Sequence, residues 1–96
     1  MNPPHVSQMA NNQYWITLPD GWEIFQSYST TVAMKKTSSI GDYCVYLHAD
    51  YWDMYSATTN KYLIRFLENV DSIQEVRQIV KDGGYTVVAG WWEVEE

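Results

Sequence analysis

Cys44 and His48 stand four residues apart, a spacing at which side chains on a β-strand point the same way. A thiol and an imidazole on one face are the start of a metal site or of an activated nucleophile. Neither is completed. Cys44 is the only cysteine, the other histidine, His5, lies near the start of the chain, and a structural zinc normally takes about four ligands. Four strand residues also separate the two backbones by roughly 13 Å, too far for the imidazole to take the thiol proton. No catalytic residue, metal ligand or cofactor is assigned, and the chain is not expected to be an enzyme.

Asp50 and Asp53 flank Tyr51 and Trp52, and paired carboxylates beside aromatic rings are the chemistry of sugar-processing sites. A strand end followed by a turn accounts for the same residues without a substrate. Ser56, Thr58, Thr59 and Lys61 place hydroxyls, free backbone N–H groups and an ammonium at a helix start, an arrangement able to hold a phosphate or carboxylate. Ordinary capping also explains them, and no glycine-rich loop lets an anion approach the backbone. Trp91 and Trp92 are adjacent and followed by Glu93, Glu95 and Glu96. If a regular strand carries them, one ring faces the core and the other faces solvent or a partner. Tyr51 and Trp52 pose the same question at a second edge. The candidate partner-binding residues are therefore Tyr51, Trp52, Trp91, Trp92, Glu93 and Glu95.

The elements that must position these side chains follow from turn chemistry and periodicity. Tyr14–Leu18 and Trp22–Tyr28 form a hairpin about Pro19, Asp20 and Gly21. Thr30–Lys36 is the third strand, with Val32 and Met34 on one face and Thr31, Ala33 and Lys35 on the wet one. After Ser38, Ser39, Gly41 and Asp42, Tyr43–Ala49 is the fourth, with Tyr43, Val45, Leu47 and Ala49 on one side. From Thr58 to Val70 the period changes, and Leu63, Phe66, Leu67 and Val70 form an apolar stripe opposite Lys61, Arg65 and Glu68. A second helix starts at Asp71 or Ser72, where Ser72 and Glu75 have capping-box spacing, and ends at Gly83 and Gly84, both expected in left-handed backbone. Tyr85–Ala89 returns as a strand that Trp91–Val94 extends. Met1–Asn12, polar and bearing Pro3 and Pro4, reads as a flexible leader before a single domain over 13–96. The fold class is α+β, a mainly antiparallel sheet of four to five strands in the order β-β-β-β-α-α-β, with both helices on one face.

Composition bounds the partners. In 96 residues there are twelve acids, six bases, five Trp and eight Tyr, with a net charge of −6. Such a balance disfavours direct nucleic-acid binding through phosphate neutralisation and binding to anionic membranes. A single cysteine excludes a disulfide-stapled secreted fold, no segment has the length of a membrane span, and the leader lacks a signal-peptide pattern, so a cytoplasmic protein is expected.

The WEIFQSYSTTVA strand pair, the YSATTNKYLIRFL strand-to-helix junction and the IQEVRQIVKDGGYTVV end together resemble a family of small, uncharacterised bacteriophage-encoded proteins. The resemblance runs over Glu23–Val88, through Tyr28, Thr31, Val32, Ala33, Ser56, Thr58, Thr59, Lys61, Tyr62 and Leu63. It implies a phage or mobile-element origin and brings no catalytic residues. The function expected is binding and inhibition of a host protein or ribonucleoprotein complex, such as a CRISPR or other defence effector. The alternatives are a homo-oligomer formed through a free sheet edge or the aromatic face, and an anionic-ligand binder at Ser56–Lys61.

Overall fold

The computed structural model describes residues 4–37, 43–53 and 57–94. Its strands are β1 (His5–Ala10), β2 (Gln13–Thr17), β3 (Glu23–Ser27), β4 (Thr30–Thr37), β5 (Tyr43–His48) and β6 (Thr86–Val88). Between β5 and β6 come the helices α1 (Ala57–Leu67) and α2 (Ile73–Lys81). The six strands lie side by side in chain order in one open sheet, antiparallel from β1 to β5 and parallel between β5 and β6. A parallel neighbour requires a crossover, and the helix pair supplies it. The α+β order read from the sequence holds, with one strand added at the front.

That added strand corrects the reading of Met1–Asn12 as a leader. Residues 5–10 pair with β2, and the reversal between them uses Asn12 at φ 62°, a left-handed conformation that asparagine tolerates. β1 is an edge whose first four residues are exposed, so its side chains carry little periodic signal while its backbone pairs regardless of composition. Turn chemistry was legible at Pro19–Gly21. Gly21 sits at φ 96°, its N–H donates to Leu18 O at 3.1 Å, and the Asp20 carboxylate accepts the Trp22 N–H at 3.2 Å.

The helices bury their apolar stripes on one side of the sheet. Phe25, Ala33, Val45 and Leu47 meet Leu63, Phe66 and Leu67 of α1 and Val76 of α2, with the Phe25 and Phe66 rings stacked at 5.8 Å. The alternation expected for β4 breaks at a bulge between Phe25 and Gln26. There Phe25 opposes Ala33 but Gln26 opposes Thr31, leaving Val32 as the extra residue. Val32 and Ala33 are consequently both buried. Beyond the bulge the period returns with Lys35 on the core side, so the assignment of Lys35 to the wet face is overturned: its side chain is 1% exposed.

α2 is capped at Ser72, whose Oγ accepts the Glu75 N–H at 3.2 Å, while Glu75 Oε1 accepts from Asp71 N, one residue earlier than the box expects. At its other end only Gly83, at φ 84°, is left-handed. Gly84 is required by space instead, since a Cβ there would lie 2.7 Å from Ile79 Cγ2.

Candidate functional site

Because β5 and β6 run parallel, their carboxyl ends lie together, and the two turns that leave them carry the aromatic residues picked out in the sequence. At the end of β5, Tyr51 N and Trp52 N both donate to His48 O, at 3.0 and 3.1 Å, so the turn folds back over its own strand. His48 Nδ1 accepts the Asp50 N–H at 3.2 Å. The Tyr51 ring then lies 4.6 Å from the imidazole, and Trp91, from the turn after β6, meets the same imidazole edge-on at 5.5 Å. Two supposed edges are thus one cluster, Tyr51–His48–Trp91. His48, considered as a ligand or base, is the ring that joins them.

Trp91–Val94 does not extend β6. Trp91–Glu93 is a 3-10 turn, entered at Gly90 and held by Glu93 Oε2, which accepts the Ala89 N–H at 2.8 Å. Gly90 is buried under the six-membered ring of Trp92, and a side chain there would run into that ring. The indole nevertheless stands 83% exposed. Tyr51, Trp52 and Trp91 are half-buried, and Tyr51 and Trp52 pack against the core, so Trp92 is the one of the four rings presented to solvent. Among the described residues the carboxylates on these turns are Asp50, Asp53 and Glu93. Asp53 takes Arg77 of α2 in a forked pair, Nε to Oδ1 at 2.9 Å and Nη2 to Oδ1 at 2.7 Å. That hydrogen bonding raises the Arg77 pKa above its ordinary value and fixes the turn to α2. Glu95 lies outside the described residues.

The anionic-ligand group is dispersed. Thr59 is buried, its hydroxyl 3.0 Å from Ser27 Oγ, which in turn accepts from Gln13 Nε2 at 3.1 Å. This buried polar chain ties α1 to β3 and β2. Thr58 and Lys61 are exposed, with the Lys61 ammonium 5.4 Å from the Tyr62 ring, and Ser56 lies outside the described residues. Cys44 is exposed on β5, and among the described residues no three His, Cys, Asp or Glu side chains gather as a metal-binding group. No described helix is long and apolar enough to cross a membrane.

Sequence reasoning missed a second polar centre, around Lys35. Its Nζ donates to Phe66 O at 2.5 Å and to Glu68 Oε1 at 2.6 Å, and lies 4.2 Å from the Trp15 ring and 4.6 Å from that of Phe66. The ammonium therefore meets the carbonyl end of α1, where the helix dipole is negative, inside an aromatic box. Tyr43 OH donates to the next carbonyl, Leu67 O, at 3.2 Å. Burial, then Tyr85, Glu68 and Glu23, pushes the Tyr43 pKa up to about 12. Glu68 itself adopts φ 70°, ending α1 before Val70. The only signal of this centre was a lysine on the strand parity of Ala33, hidden by the bulge.

An open six-stranded sheet with a helix-pair crossover on one face defines a small α+β domain. The chain belongs to the family of unknown function DUF8033, which it matches over residues 4–83. The match includes β1 and both helices and stops before the Trp91–Glu93 turn. No curated protein and no solved structure matches the chain.

Proposed function

We propose that the protein is a non-enzymatic binding protein of phage or mobile-element type. It occupies a surface of a host protein or ribonucleoprotein complex, with CRISPR and other defence effectors as the target class. Its place of action in this reading is the host cytoplasm. The observation that supports it is Trp92, a large ring 83% exposed on a turn braced by Gly90 and by the Glu93–Ala89 hydrogen bond. Rigid, projecting indoles make the anchors of protein interfaces because little conformational entropy is lost when they are covered. The carboxylates of Asp50 and Glu93 give the rim a negative sign, which suits a basic surface on the partner.

Tagged protein passed through bacterial lysate is expected to retain a stoichiometric host partner, and Trp92→Ala to weaken the purified complex by at least about 30-fold, the scale of an anchor worth 2 kcal/mol. Retention of no partner at micromolar concentration, or equal affinity in Trp92→Ala with an unchanged circular dichroism spectrum, overturns the reading.

A further inference from the structure

Pairing registers place Val6, Ile16, Ile24, Met34, Tyr46 and Thr86 in one row across all six strands. The neighbouring row, Trp15, Phe25, Ala33 and Leu47, faces the helices, so strand alternation puts the Val6-to-Tyr46 row on the opposite side. That side is built as a core is built. Trp22 is buried without joining the helix-side core; its ring lies 5.9 Å from that of Tyr46, with the Lys36 ammonium 5.4 Å from it. Yet among the described residues no helix or strand lies over the row, and the turns bearing Tyr51 and Trp91 reach its margin at His48. Val6 is 56% exposed, while Ile16, Ile24, Met34 and Tyr46 are half-buried by one another.

Charge selects the occupant. The chain has twelve acids, but the only carboxylate within a described strand is Glu23, which sits on the helix side bonded to Trp15 Nε1 at 2.9 Å. The helix-free side has Lys36 and no acid among its described strand residues. Two copies of a chain with net charge −6 repel over most of their surface, and the described strands of this face bring no carboxylate to the contact. Six strands at about 4.8 Å spacing and about five residues of length give roughly 24 by 17 Å, some 400 Å² before side-chain relief. Two such faces bury about 800 Å² between them, short of the roughly 1,000 Å² that a stable interface clears, so the pairing they support is weak and transient.

We propose that two copies of this chain pair face to face through the Val6–Ile16–Ile24–Met34–Tyr46 row, as a two-sheet sandwich. A pairing of one patch with itself closes at two. Trp92 is not one of the residues of that row.

Light scattering on the eluting full chain tests it. At about 300 μM the expected mass is twice 11.2 kDa, falling toward 11.2 kDa at about 1 μM, as a small interface of micromolar affinity requires. Val6→Asp and Ile24→Asp are expected to be monomeric at both concentrations, and Trp92→Ala to dimerise as the wild type does. Val6 is already mostly exposed, so its substitution keeps the test valid if Ile24→Asp does not fold. A monomeric wild type at the higher concentration, a mass above the dimer, a dimer that survives Val6→Asp, or one lost in Trp92→Ala each overturns the proposal.

Discussion

Burying an ammonium costs several kcal/mol unless its charge and its protons are all answered, and Lys35 shows how that is met with unlike groups. A carbonyl at a helix end, one carboxylate and two ring faces surround Nζ. Glu68 is 59% exposed, so most of the compensation comes from the buried carbonyl and rings and not from the ion pair. Glu68→Gln is accordingly expected to cost less than about 1 kcal/mol in urea unfolding. Lys35→Ala should cost about 3 kcal/mol, from the cavity and the uncapped α1 carbonyls. Lys35→Met, which keeps the volume, should recover most of that loss; equal losses in Met and Ala would mean that the charge matters and the packing does not. Tyr43 gives the centre a pH dependence. Its folded pKa of about 12 exceeds the 10.0 of the unfolded chain, so its stabilisation is complete below pH 10 and is lost as pH rises through 12. Stability measured across that window should fall less steeply in Tyr43→Phe; parallel profiles would dissociate Tyr43 from the effect. Tyr85, whose pKa burial also raises, leaves the variant's stability still falling with pH.

At the scale of elements, local signals placed boundaries well wherever the backbone depends on one side chain. Ser72 caps α2 as its spacing indicates, and Ser72→Ala is expected to cost about 1 kcal/mol by thermal unfolding, with no loss if the Oγ–Glu75 bond were idle. Gly21 and the apolar stripes of both helices were equally legible, because a positive φ and a 3.6-residue period leave direct marks on composition. What escaped was set by pairing. β1 is a strand because β2 offers it backbone partners, and Val6, Ser7 and Gln8 do not announce that. The β4 bulge shifted parity by one residue, turning Lys35 from solvent to core, and a bulge opposite Gln26 has no composition of its own. Trp91–Val94 was read as an extension of the last strand, whereas Gly90 and the Glu93 carboxylate favour a tight turn. The six candidate partner-binding residues were therefore chosen on type, and topology brings two of them, Tyr51 and Trp91, together at His48.

Topology also makes the molecule two-sided, and charge then decides how the whole behaves. The crossover through α1 and α2 leaves β6 parallel to β5, which brings Tyr51, His48 and Trp91 to one end and leaves the row from Val6 to Tyr46 without a covering helix or strand among the described residues. Acids outnumber bases by twelve to six, and the ion pairs among the described residues, Lys35–Glu68 and Arg77–Asp53, engage two of each. Self-repulsion among the remaining acids is therefore expected to outweigh what those pairs contribute. Raising NaCl from about 0.01 to 1 M shortens the screening length from about 30 to 3 Å, which removes long-range repulsion while touching the buried ammonium least. The thermal midpoint at fixed, dilute protein concentration should rise by several degrees over that range, and the face-to-face pair should tighten in parallel, since both are opposed by the same field. A midpoint that falls with salt would show the two ion pairs outweighing the repulsion. Rising stability with unchanged dimer affinity would show that the field opposing the fold does not oppose the pairing.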